Sequence, residues 1–225
     1  LDCPELVRST EQIETAGYSH GILWKLESAE GKKSSLLGTI HLGDPRVIDL
    51  PQPVVLALNR SGSFGMEVVF DVDGIMMMSK AMNLAKGKSL GRMLDSALFN
   101  GTAKLLERYG VATHAVQNLK PWAAFTALSL PPAQPAVPLD MFLMASAQRL
   151  NKPVFGLESI EEQIAVFDAL SDSDQVELLR HAVCHYDEFQ ADVDTMIEHY
   201  LARDLGAIMQ MALRYSSPLQ DRFLD

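Results

Sequence analysis

The sequence predicts an α/β (or α+β) chain: a small sheet with an N-terminal hairpin, a large helical insertion and a helical C-terminal half. Three observations carry this. Apolar residues alternate with polar ones near the start, the period becomes helical from Asp73 to Arg149, and short apolar runs at Phe64–Phe70 and Pro153–Glu158 flank that helical stretch. All 225 residues are read as one domain.

Taken in order, Leu1–Tyr18 is a polar lead-in with a short helical turn at Glu11–Thr15. Ile22, Trp24 and Leu26 point one way along a strand, Ala29–Lys33 turns, and Ser35–Leu42 returns as the second hairpin strand. Past Gly43-Asp44-Pro45, a short helix holds Pro51 and Pro53 in its first turn, where a missing N–H costs nothing. Phe64–Phe70 is a third strand. Helices follow at Gly74–Ala85, Leu94–Tyr109 and Trp122–Leu130. The prolines of 131–138 lack donors and clash with a preceding turn, so that segment is a rigid connector. Leu139–Leu150 is helical, Pro153–Glu158 is a buried strand, and Ser159 with Glu162 forms a capping box. Long helices run from Asp172 to about Tyr215.

Composition excludes several functions. The 48% hydrophobic content suffices for a substantial core. A formal charge of −10 without a basic stripe argues against nucleic acid. No apolar run is long enough to span a bilayer. The chain starts Leu1-Asp2-Cys3-Pro4, without an initiator Met, so either it is trimmed or a targeting segment has been removed, and an exported protein is expected. Cys3 and Cys184 permit one disulfide or two unrelated thiols.

Two residues stand out chemically. Glu67 sits in an apolar strand on the face shared by Gly65, Val69 and Asp71, where a carboxylate needs a cation, a metal or several donors. Its plainer role is a structural ion pair. His41 lies in Leu37-Gly38-Thr39-Ile40-His41-Leu42-Gly43-Asp44, at the carboxyl end of its strand, where open α/β sheets bind ligands. Its plainer role is a satisfied core histidine. Glu158 also ends a strand, and parallel strands lying side by side would gather His41, Glu67 and Glu158 at one edge. The better reading of Glu158 is an anion at a helix N-terminus. Arg46 is a candidate for orienting an anionic substrate group.

Other signals weigh less. His181 and His185 have chelating spacing, but Ala182 stands where a zincin has its glutamate, so a solvated helix face is the better reading. Met76, Met77, Met78, Met82 and Met93 could line a groove and more simply fill core. Trp122 and Phe125 read as core, and Ser61, Ser63 and Ser159 lack a nucleophile elbow.

Together, Leu36-Leu37-Gly38-Thr39-Ile40-His41-Leu42-Gly43, Glu67 in its strand, Lys120-Pro121-Trp122, and Lys152–Ser159 with Glu162-Gln163 resemble the TraB/GumN family, related to the Tiki proteases. Met196-Ile197, Tyr200-Leu201 and Asp204-Leu205 extend the resemblance. It implies a site built on the Gly-x-x-His histidine and the strand glutamate, divalent metal-dependent peptide hydrolysis as in the Tiki branch, and distant kinship with erythromycin-esterase-like folds. The sequence departs from the pattern at Pro138-Leu139-Asp140, where Gly-x-Asp is common. The family's Arg-Asn helix motif and second Gly-x-x-His are expected beyond Asp225.

The expected function is therefore a metal-dependent hydrolase of a peptide or small molecule in a bacterial periplasm or cell envelope. His41 and Glu67 are the catalytic residues, and His41, Glu67 and Glu158 are the candidate ligands for Mn, Co or Zn. The ligand set is thin, since metal sites usually take about three protein ligands. The alternative is a non-catalytic exported ligand-binding module on the same fold.

Overall fold

A computed structural model describes residues 1, 3–6, 19–132 and 134–215. The expected turn at Glu11–Thr15 lies outside them. The hairpin forms as expected, with β1 (Leu23–Glu27) antiparallel to β2 (Lys33–Leu37) in the register Leu23↔Leu37 to Glu27↔Lys33. Gly31 closes the turn at φ 78°, in the left-handed region that glycine enters without a Cβ penalty. The second strand stops sooner than expected. The Gly38 N–H still bonds to the Ile22 carbonyl at 2.8 Å, but the Gly38 carbonyl accepts from the Tyr200 hydroxyl, and the ladder ends there.

Next come α1 (Pro45–Ile48) and α2 (Gln52–Arg60), then β3 (Phe64–Met66), also shorter than its apolar run. The helical middle comprises α3 (Val72–Ala81), α4 (Leu90–Met93), α5 (Ser96–Glu107), α6 (Thr113–Val116), α7 (Pro121–Leu128) and α8 (Leu139–Arg149). Strand β4 (Val154–Gly156) pairs in parallel with β3, Phe64↔Val154 to Met66↔Gly156. The chain continues through α9 (Ile160–Asp168), α10 (Asp172–Cys184), α11 (Tyr186–Leu201) and α12 (Leu205–Arg214). The mixed α/β class holds. Among the described residues, however, the strands form two separate two-stranded sheets, so His41's hairpin and Glu67's strand do not lie side by side.

Short polar residues start the helices. Asp71, Asp95, Ser171 and Asp204 each accept a backbone N–H of the following first turn, and Ser159 with Glu162 completes the expected capping box. Two apolar clusters sit beneath. One gathers Leu90, Leu98, Leu106, Leu128, Leu179 and Tyr186 between α4–α7, α10 and the first residue of α11, each buried side chain stabilising by about 1.5–3 kcal/mol. Trp122 joins the interior as expected, stacked on Phe167 at 5.0 Å, with its indole N–H and the Lys120 ammonium both donating to Asp168. The other cluster, Ile22, Leu42, Val47, Leu139, Leu143, Ile197 and Tyr200, lies under the hairpin and carries the loop that follows β2.

Several expectations are corrected. The β4 run is not buried, since Phe155 is 48% exposed. The α3 stripe is not core filling, because Gly74 faces inward against Ile160 while Met76 and Met77 stay exposed. His181 and His185 do not face solvent either. They are buried where α10 gives way to α11, with ring centroids 4.7 Å apart, and neither nitrogen of His185 has a hydrogen-bond partner among the described residues.

Cys3 and Cys184 form a disulfide across 181 positions, the paired alternative of the two the sequence left open. Such a crosslink acts largely by restricting the unfolded chain. Cys3→Ser is expected to lower unfolding free energy by roughly 2–5 kcal/mol in urea titration, and the denatured, non-reduced wild type to show no labelled thiol. Two labelled thiols would contradict the bridge.

Candidate functional site

The segment Gly38–Gly43 runs outside any sheet and is held from several sides. Ile40 and Leu42 turn inward to the cluster under the hairpin, and the alternation leaves Thr39 and His41 facing α8. The Leu42 carbonyl accepts from Leu139 N–H at 3.2 Å and the Gly43 carbonyl from Ala136 N–H at 2.9 Å, while Gln134 takes the Gly43 N–H. A Cβ at Gly43 would stand 1.9 Å from the Ala136 carbonyl oxygen, so only glycine permits this approach. His41 is therefore in a loop rather than at a strand end as expected. The ladder could not reach it, because helix, connector and tyrosine supply the partners a neighbouring strand would have given.

Glu67 also lies just beyond its strand. Its carbonyl accepts the Glu158 N–H at 2.9 Å and, at 3.1 Å, a share of the Leu157 N–H that bonds the Met66 carbonyl at 2.8 Å, and there the β3–β4 ladder ends. Val68 is buried beside it. The Glu67 side chain is 68% exposed, which overturns the expectation of a buried charge in need of compensation. Its position is set by its backbone. Beside it the Phe155 ring lies against Gly65, where a Cβ would meet it at 2.9 Å.

These two anchored segments bring His41 Nε2 to 3.9 Å from Glu67 Oε2. The other ring nitrogen, Nδ1, is 2.8 Å from Asp140 Oδ2. Asp140 Oδ1 accepts the Thr39 hydroxyl at 2.6 Å. Asp140 stands in the first turn of α8. Sequence reasoning passed over it as a catalytic candidate, because an acid in a first helical turn is ordinary. The signal was present even so: Pro138-Leu139-Asp140 keeps the aspartate where it departs from Gly-x-Asp.

The hydrogen bond to Asp140 raises the His41 pKa above its ordinary value; burial opposes this, and the charges of Asp140 and Glu67 add to it. Burial pushes Asp140 up, but the hydrogen bonds from His41 and Thr39 outweigh it and hold the carboxyl below its usual range. Tyr200 is pushed up to about 12 by burial and then by the charge of Asp140.

The other candidates lie apart from this contact. The Glu158 carboxylate accepts from Gln163 Nε2 at 2.8 Å, and only its backbone touches Glu67. Arg46 is engaged by Asp44, at 2.9 and 3.0 Å, and by Asp194 at 2.6 Å, so its fork ties α1 to α11. In donor type, His41 Nε2 and the Glu67 carboxylate suit a divalent cation, but among the described residues no group of three His, Cys, Asp or Glu comes together to hold one. A recess of mixed lining, with Ile22, Val47 and Val54 beside Arg46, Asp49 and Arg203, opens under the hairpin and includes neither His41 nor Glu67.

A family model described as the TraB/PrgY/gumN family matches residues 22–225. Comparison with curated proteins found no match, and neither did comparison with solved structures.

The Asp140–His41 pair should leave a pH signature. The raised His41 pKa gives stabilisation that is full below about pH 6.5 and lost as pH rises through the folded value. The depressed Asp140 pKa gives stabilisation that is full above about pH 4 and lost as pH falls through its folded value. The stability difference between wild type and Asp140→Asn is therefore expected to be widest between about pH 4 and 6.5. With the His41 side chain 61% exposed, water screens the pair and the difference should stay near 1 kcal/mol. Urea melts across pH 3–9 check this, and a difference independent of pH would contradict it.

Proposed function

The chain belongs to the TraB/PrgY/gumN family, and from that premise we propose that it is a metal-dependent hydrolase of peptide-like substrates working at His41 and Glu67. One observation carries the reading: His41 Nε2 faces Glu67 Oε2 at 3.9 Å while Nδ1 is held by Asp140 at 2.8 Å. A separation of 3.9 Å is too long for a direct hydrogen bond and leaves room for a water that touches both groups. The Glu67 carboxylate takes a proton from that water as its oxygen attacks the carbonyl carbon. His41 Nε2 orients it. The carbon–nitrogen bond then breaks, and the proton passes from Glu67 to the departing amine. A divalent cation (Mn, Co or Zn), held by His41 Nε2 and one Glu67 oxygen, would replace Nε2 in orienting the water, polarise the carbonyl and lower the pKa of bound water, with the second Glu67 oxygen left as base.

Export to an oxidising compartment, a bacterial periplasm or cell envelope, belongs to the same proposal. It is supported by the Cys3–Cys184 bridge, since such bonds persist where the surroundings are oxidising. Among the described residues no helix is long and apolar enough to cross a membrane.

A second reading, a non-catalytic exported ligand-binding module on the same fold, draws on a different observation. Both side chains are open to water and no third donor joins them among the described residues. The test is mass spectrometry of a mixed peptide library incubated with the protein and Mn²⁺, Co²⁺ or Zn²⁺. Cleavage is expected, falling by about 10²–10⁴-fold in His41→Asn and Glu67→Gln while thermal melting stays within a few degrees of wild type. Absence of cleavage with every metal, or cleavage indifferent to both substitutions, would overturn the reading.

A further inference from the structure

We infer that Asp140 and Thr39 are positioning residues that lock neutral His41 in its Nδ1–H tautomer, so that Nε2 is the only ring nitrogen able to accept a proton or a ligand. The inference rests on the reading that His41 is the reactive group. It reaches further, to which atom reacts and what sets it.

Asp140 sits in the first turn of an eleven-residue helix, α8, whose positive end favours an anion. It receives two close partners, Thr39 Oγ1 at 2.6 Å on one oxygen and His41 Nδ1 at 2.8 Å on the other. An ionised carboxylate only accepts hydrogen bonds. Both partners must then be donors. Thr39 gives its hydroxyl hydrogen, and His41 must carry its proton on Nδ1. Neutral imidazole has one N–H, so Nε2 is left with a free lone pair, aimed toward Glu67.

The surroundings make this a fixed arrangement. Thr39 is β-branched, with few rotamers open to it, and its backbone follows Gly38, whose carbonyl accepts the Tyr200 hydroxyl at 2.9 Å. Leu139, the residue before Asp140, is fully buried and donates its N–H to the Leu42 carbonyl. The loop and the helix are thus tied on both sides of the Asp140 carboxylate. The Asp140 side chain is 20% exposed, so water competes little for its oxygens. His41 is 61% exposed, and without this clamp solvent would leave its tautomer and ring orientation free. A carboxylate behind a histidine in this manner is how proteins commonly orient an imidazole for a metal or a proton transfer.

The test is ¹⁵N-histidine NMR of the chain at pH 9, where the ring is neutral, with the His41 signals assigned by their loss in His41→Asn. Wild type is expected to show protonated Nδ1 and unprotonated Nε2. In Asp140→Asn, the amide oxygen stays with Thr39 and the NH₂ donates to Nδ1, so the proton should move to Nε2. Thr39→Val should loosen the clamp and give a mixture of tautomers, and Thr39→Ser should restore the wild-type pattern. A purely structural role for Thr39 would not predict that rescue. A wild-type His41 protonated on Nε2, or tautomers unchanged in Asp140→Asn and Thr39→Val, would overturn the inference. Should Asp140→Asn fail to fold, the wild-type tautomer and the two Thr39 variants still decide. The spectra need no turnover, so failed peptide cleavage with the predicted tautomer in place would sink the hydrolase reading and leave the clamp standing.

Discussion

A loop carrying buried backbone must satisfy its N–H and C=O groups without a neighbouring strand, and the stretch Gly38–Gly43 is where this constraint bears hardest. Its partners come from the residue before β1, from α11, the proline connector and the start of α8: Ile22, Tyr200, Gln134, Ala136 and Leu139. Once the backbone is fixed in this way, Ile40 and Leu42 have to enter the core, and alternation delivers Thr39 and His41 to the carboxylate of Asp140. The His41 imidazole is placed by hydrogen bonds to main chain. It is oriented by a side chain nearly a hundred residues away.

Glu67 is placed on the same principle by a different element. The parallel pair β3–β4 is three residues long on each side, and its last act is to send the Glu158 N–H, with a share of the Leu157 N–H, to the Glu67 carbonyl. The side chain then projects from a pinned backbone with Val68 buried behind it. Such an exposed imidazole–carboxylate pair contributes at most about 1 kcal/mol to stability, so the fold does not depend on it. Its placement is a consequence of packing elsewhere.

Local signals were legible in the sequence where local physics decides the outcome. Ser159 with Glu162 capped its helix as read, Trp122 went inside, and the hairpin turned at Gly31. Strand lengths were not legible, because a strand lasts only as long as its partner. Phe64–Phe70 alternates perfectly well, yet its ladder ends at the Glu67 carbonyl. The burial of His181 and His185 escaped for a similar reason. Polar residues on a helix read as a solvated face until other elements cover them, and only the tertiary packing, here of α10 against α7 and α5, tells where that happens. For the site, His41 and Glu67 could be singled out as residue types in unusual company. Asp140 showed there only as the aspartate kept in Pro138-Leu139-Asp140, and its part in the site emerges through contacts with residues 39 and 41.

The exposure of the site bears on how it can work. At 3.9 Å in bulk water, unit charges interact by only about 1 kcal/mol, several-fold less than in a drier interior. Preorganisation here therefore lies in Asp140, which is largely shielded, while Nε2 and the Glu67 carboxylate stand in solvent. A group that binds across them would exclude that water and strengthen every interaction it covers, including the hydrogen bond behind His41. The half-buried carboxylate keeps the imidazole aligned during the open interval, and a bound ligand would supply the low dielectric. Alignment and field strength thus have separate sources, the first built into the fold and the second arriving with the ligand.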